Sequence, residues 1–244
     1  MSDPVTRFHL TYADRPVGRL AILTMDNGED HTKPNTFSVD ALQSLAGALD
    51  ELEAAEDVAG LLLTGKPFIF AVGADLKAFA RTEADPVQQA RELIGLGHEV
   101  FARLQALPFP TVAAINGACL GGGLEIALHC DARTLSTGAQ VLAFPEVGLS
   151  IVPGWGGTQL APRIVGVKDA IETIIINPLN NGKTMRPEEA FERGYADRFY
   201  DSATFLDDSI AFLERLISGE ETIDRSGLDV IADFEEARNN ALGT

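Results

Sequence analysis

The chain has 244 residues and 26.1 kDa, with 36 Asp and Glu against 19 Lys and Arg and a net charge of −17. That balance repels a nucleic-acid backbone and excludes non-specific DNA or RNA binding, while leaving room for one anionic ligand held by local cations and backbone amides. With 45% hydrophobic and 23% charged residues it can bury a core, which excludes a disordered, collagenous or coiled-coil chain and fits one α/β domain with a small helical appendage.

In chain order, residues 8–12 and 17–25 read as strands about the turn Ala13-Asp14-Arg15-Pro16, an opening hairpin. Leu42, Leu45, Leu49 and Leu52 recur at helical spacing and predict an amphipathic helix over 39–55. The continuous apolar run 58–64 reads as a parallel strand covered on both faces. Leu93, Leu96, Val100, Phe101 and Leu104 mark a helix over 86–107, and 111–115 is a second buried strand. A helical LEIALHC, a strand-like ARTLST and a Gly/Pro-rich loop over 145–157 follow, then helices over 158–165 and 168–176. Alternating strands and helices imply an α/β core, 1–196, with a C-terminal helical region, 197–244, as the expected subunit contact. In that region Phe205, Leu206, Ile210, Phe212, Leu213 and Leu216 form one apolar helix face, and 228–241 is a last candidate helix.

Cys119 and Cys130 form neither a CxxC pair nor a dense framework, so they read as buried reduced thiols. His9, His31, His98 and His129 show no metal-ligand spacing, and no metal site is expected. The N-terminus lacks a charged segment followed by an apolar one, and no apolar run is long enough for a bilayer. A cytoplasmic protein without membrane contact is expected. Neither a GxxxxGK[ST] loop, a GxGxxG fingerprint nor a GxSxG elbow is present, which argues against an NTPase, a nicotinamide dehydrogenase and a serine hydrolase.

Chemistry concentrates in three loops. FIFAVGADLK (68–77) and NGACLGGGLE (116–125) combine glycine with a strand-to-helix transition, where unpaired N–H groups stabilise developing negative charge. The third, FPEVGLSIVPGWGGTQ (144–159), carries Glu146 among apolar residues, as Glu125 is carried in LEIAL. A carboxylate in such company is hydrogen-bonded, paired or shifted toward its neutral form. Two of them fit general acid–base work, one ionised and one protonated. Each also reads as a helix cap or an ion-pair partner of an arginine such as Arg163.

In this order the three loops resemble the crotonase family of enoyl-CoA hydratases and isomerases, over residues 17–197. The resemblance implies an α/β spiral of repeated β-β-α units and a homotrimer or dimer of trimers. It implies an oxyanion hole from the N–H groups of Ala74 and Gly122, and catalytic Glu125 and Glu146. Ala71, Gly73, Asp75, Leu76, Gly121, Pro145 and Gly154 would line the substrate, Gly154 at a helix start polarising the thioester carbonyl. Lys33 and Lys77 would meet coenzyme A, which is part of the substrate, so no separate cofactor is implied. The glutamate pair favours hydration of a trans-2-enoyl-CoA, with Δ3,Δ2-enoyl-CoA isomerisation and a non-catalytic CoA-binding subunit as alternatives. The polar stretch INPLNNGKTM (176–185) is closer to hydratase domains of multifunctional fatty-acid oxidation proteins, so a 3-hydroxyacyl-CoA dehydrogenase is an expected associate.

Overall fold

The computed structural model describes residues 4–30, 32–75, 85–225, 234–235 and 238–239. Strands β1 (Arg7–Arg15) and β2 (Gly18–Asp26) pair antiparallel with Arg15 opposite Gly18, so the turn falls on Pro16-Val17 rather than on 13–16. Proline suits a turn and has no N–H for a ladder, and Gly18 takes the positive φ (+123°) that the tight reversal requires.

Helix α1 (Val39–Ala54) starts at Ser38, whose hydroxyl accepts the Ala41 N–H (3.2 Å). Its Leu42, Leu45, Leu49 and Leu52 are buried, as the spacing predicts. Two β-β-α turns follow. The first is β3 (Val58–Gly65), β4 (Phe68–Ala71) and α2 (Pro86–Gln105), the second β5 (Thr111–Ile115), β6 (Gly117–Leu120) and α3 (Gly122–Leu128). A third begins with β7 (Ala132–Ser136) and β8 (Leu142–Ala143). Each turn gives its first strand to a six-stranded sheet, β1-β2-β3-β5-β7-β9 with β9 at Arg198–Tyr200, and its second to a three-stranded sheet, β4-β6-β8. This is the spiral α/β architecture that the family resemblance implies.

The chain continues through α4 (Gly157–Val165) and α5 (Val167–Ile171), which runs on through one wider turn (Glu172–Ile176) to Asn177–Leu179. Then come α6 (Pro187–Glu192), β9 (Arg198–Tyr200) and α7 (Phe205–Ser218). The stretch 176–185 folds back on the core, with the Leu142 and Met185 peptides exchanging hydrogen bonds of 3.0 and 2.8 Å.

Period-two alternation explains why the central strands of the large sheet carry apolar residues on both faces. Leu61, Leu63, Ala113, Ile115 and Leu135 enter the core under α1, α2 and α3. Leu62, Val112, Ala114 and Ala132 point the other way and meet Phe205, Ile210, Phe212 and Leu213 of α7. Strand β9 and α7 therefore build the sheet and its second face, although they lie beyond the 196/197 division expected from the sequence. Leu206 departs from the predicted apolar face of α7 and is exposed. The predicted helix over 228–241 lies largely outside the described residues, among which no helix is long and apolar enough to cross a membrane.

Candidate active site

Strands β4, β6 and β8 run parallel side by side, so the loops after them leave from the same edge of the small sheet. Parallel strands open their ligand crevices at their carboxyl ends. Here that edge gathers Gly73 and Ala74, then Gly121 and Gly122, then Pro145 and Glu146 around a cavity of about 340 Å³. The Gly121 N–H donates to the Ala143 carbonyl (2.9 Å), tying the second loop to the third.

Around Ala74, Phe37 N–H donates to the Gly73 carbonyl (2.8 Å) and Asp75 N–H to the Phe37 carbonyl (3.0 Å). These bonds flank Ala74 and leave its own N–H out of the bridge. Gly122 opens α3, where the first-turn N–H groups have no partner within the helix. Gly73 sits at φ +91° against Gly122, where a Cβ would stand 3.1 Å from the Gly122 nitrogen. Ala74 and Gly122, whose amides are the predicted pair, both line the cavity.

Glu125 and Glu146 are 2% and 7% exposed, and both line the cavity. Arg163 bonds neither, donating instead to the Gln159 carbonyl (2.6 Å). Glu125 Oε1 accepts the N–H groups of Trp155 (2.7 Å) and Gly157 (2.8 Å). Burial raises the Glu125 carboxyl to about 7 against the opposing pull of those two donors. Burial likewise raises Glu146 to about 7, with repulsion from Glu125 adding to it and a backbone hydrogen bond opposing it. Among the described residues Glu146 Oε2 is buried without a hydrogen-bond partner. Glu146 opens a short 3-10 turn, Glu146–Leu149, and packs on Gly121, where a Cβ would lie 2.8 Å from Oε1.

Among the other predicted residues, Gly121, Pro145 and Gly154 line the cavity. Gly154, however, precedes the helix, which begins at Gly157, and two amides of that turn are directed to Glu125. Ala71 is buried, with its carbonyl packed on Gly123, and does not line the cavity. Asp75 borders a separate concavity beside Ser38, Gln89 and Glu92. Lys33 is exposed on the loop after β2, its N–H donating to the Asp30 carbonyl (3.1 Å). Beneath that loop a buried Lys66 donates to Asn27 Oδ1 and the carbonyls of Glu29 and Asp30. Leu76 and Lys77 lie outside the described residues.

The cavity is otherwise apolar, walled by Leu93 and Ile94 of α2 and by Leu149, Ile151 and Val152. Its floor is the Trp155 indole, packed 5.5 Å from Phe101 and 6.0 Å from Phe37 between ring centroids. The indole fits because Gly97 and Gly122 leave its space, and a side chain at either would collide with it. Trp155 and the buried His129 lack a motif of their own. The local signal for the first was a lone tryptophan inside a glycine-rich turn.

Residues 18–237 match the family described as enoyl-CoA hydratase/isomerase. The chain is 38% identical over 206 residues to the fatty acid oxidation complex subunit alpha of Shewanella amazonensis, and 41% identical over 198 residues to that of Shewanella halifaxensis. Those alignments take in 83% and 80% of this chain but 27% and 26% of the relatives, so the chain spans about a quarter of their length. Among solved structures it is similar to an enoyl-CoA hydratase from Bacillus anthracis (TM-score 0.74, 26% identity, 98% of this chain and 92% of that one). It is also similar to DspI from Pseudomonas aeruginosa (TM-score 0.71, 29% identity, 91% of this chain and 84% of that one). With the profile matched over most of its length and relatives of this identity, the chain belongs to the enoyl-CoA hydratase/isomerase family.

Proposed function

We propose that the chain adds water across the double bond of a trans-2-enoyl-CoA to give a 3-hydroxyacyl-CoA. The observation that carries this reading is the pair of buried carboxyls at one cavity, Glu125 and Glu146, both raised to about 7. Near neutral pH such a pair holds one proton between two sites, the state that acid–base chemistry at adjacent carbons uses.

The environments support unlike roles. Glu125 accepts two N–H bonds on Oε1, which favours its ionised form and leaves Oε2 to take a proton from water. Glu146, with Oε2 unpartnered, is the readier to stay protonated and to deliver its proton to C2. Water oxygen bonds to C3 as the C2–C3 π pair moves toward the thioester oxygen, where the Ala74 and Gly122 amides stabilise the charge. The proton from Glu146 then completes C2, and the proton taken by Glu125 restores the pair. Atoms and charge balance without a cofactor beyond the coenzyme A of the substrate. In this reading Gly73, Leu76, Gly121, Pro145 and Gly154 wall the substrate, while Lys33 and Lys77 meet the coenzyme A portion.

The test is loss of conjugated-thioester absorbance on mixing the protein with crotonyl-CoA and longer enoyl-CoA substrates, beside Glu125→Ala and Glu146→Ala. Hydration that collapses in both variants supports the reading. Isomerisation of a 3-enoyl-CoA that survives Glu125→Ala would assign Glu146 alone and make the chain an isomerase. Coenzyme A binding without turnover of any enoyl thioester would make it a binding subunit.

We further propose a cytoplasmic homotrimer or dimer of trimers, associated with a 3-hydroxyacyl-CoA dehydrogenase that oxidises the product. Exposed Ile171, Ile175, Ile176 and Leu179 support self-association, and the relatives' naming as complex subunits supports the partner. Light scattering on the purified chain, alone and mixed with such a dehydrogenase, tests both.

A further inference from the structure

Glu125 lies within α3 and His129 at its C-terminal cap, one helical turn apart, so both side chains face the turn Trp155-Gly156-Gly157. His129 Nε2 lies 2.8 Å from the Trp155 carbonyl. A carbonyl only accepts, so Nε2 carries the hydrogen. Burial lowers the His129 pKa and keeps the ring neutral, which makes Nδ1 an acceptor. Nδ1 lies 3.2 Å from Gln105 Oε1, and a half-turn of that amide, which exchanges its oxygen and nitrogen, brings an N–H to the acceptor Nδ1. Gly156, at φ +106°, admits the ring, since a Cβ there would stand 2.9 Å from Nε2.

The Trp155 carbonyl belongs to the peptide between the two whose N–H groups reach Glu125. Holding that middle plane sets the rotation on either side of it, and so the aim of both donors. The same turn carries the indole lodged against Gly122.

We propose that His129 is a positioning residue that clamps the Trp155 peptide, aiming the Trp155 and Gly157 amides at Glu125 and seating the indole beneath the Gly122 wall. Its kinetic readout rests on the hydratase reading, whereas the clamp itself does not. The ionisable groups bearing on this turn are Glu125 and His129, with Glu146 coupled to Glu125 and His98 of α2 acting on His129.

The test compares the full chain with His129→Phe, which fills the space without a donor, and His129→Gln, whose amide nitrogen reaches the Nε2 position. Trp155 is the one tryptophan in the sequence, so acrylamide quenching of its fluorescence reports the turn directly. His129→Phe is expected to make Trp155 more quenchable and to raise the Glu125 carboxyl titration, followed by infrared against Glu125→Gln. It is expected to lower kcat on crotonyl-CoA by about tenfold or more with KM little changed. His129→Gln restores all three. Should His129→Phe fail to fold, His129→Asn, one bond too short to reach the carbonyl, takes its place. A folded donor-less variant with unchanged quenching and titration, or a Gln variant that restores neither, overturns the clamp. Absence of hydration in the unmodified chain would count against the hydratase reading alone, and quenching and titration would still decide the clamp.

Discussion

Gly73 stands against the backbone nitrogen of Gly122, close enough that a single methyl on Gly73 would come within 3.1 Å of it. Two loops from different β-β-α turns thus meet without side chains between them, and the φ of +91° at Gly73 is one that L-residues rarely adopt. Gly73→Ala is expected to leave the fold intact by circular dichroism while lowering kcat on an enoyl thioester by about a hundredfold, the scale of losing one oxyanion donor. Unchanged turnover in a folded Gly73→Ala protein would remove the oxyanion role from this pair.

Stability should depend on pH through Glu146. Its carboxyl is raised from an ordinary 4.5 to about 7, so between those values the folded chain binds more protons than the unfolded one. The resulting stability is fully present below 4.5 and is lost as pH rises through 7. Glu146→Gln mimics the protonated form. It should match the parent near the acid end and exceed it at pH well above 7 by up to about 3 kcal/mol. Thermal unfolding followed at both ends checks this, and equal differences at the two ends would refute it.

Hydration should follow a bell-shaped pH profile with both limbs near neutrality. On the proposed roles, activity is expected to fall toward acid as the pair gains a second proton and the base on Glu125 is lost. It falls toward alkali as the last proton leaves and Glu146 can no longer donate. Initial rates of kcat/KM across pH test this. A flat profile over the two units around neutrality would assign the chemistry to other groups.

Asp197 is the anchor of a buried cation. Its Oδ2 accepts from Arg133 Nη2 (2.9 Å) and from the Arg133 N–H (2.8 Å), while Oδ1 accepts from Arg225 (2.8 Å). Arg133 is 1% exposed, so Asp197→Ala strands a charge in the core. A loss of about 3–5 kcal/mol is expected in denaturant unfolding, with Arg225→Ala costing far less because that side chain is partly exposed.

Much of the architecture was legible along the chain. Leucine spacing marked α1, and the unbroken apolar runs at 58–64 and 111–115 marked strands buried on both faces, because periodicity is a local consequence of which face meets the core. The small sheet was not legible as a sheet: β4, β6 and β8 are short and sit inside or beside the glycine-rich loops, so nothing along the chain told that they pair with one another. Short strands carry too few alternations to declare themselves, and β9 was missed for the same reason.

The sequence by itself determined which chemistry is present: two carboxylates in apolar company, glycines ahead of helices, and their order. Only the tertiary structure decided that these become one site. The parallel pairing of β4, β6 and β8 brings Ala74, Gly122 and Glu146 to one edge, a long-range pairing that no local pattern encodes. The burial that lifts both glutamates toward neutrality, and the turn that bonds Glu125 on one side and His129 on the other, exist only once that edge is assembled. Desolvation and hydrogen-bond direction are properties of the surroundings, and the surroundings are made by the fold.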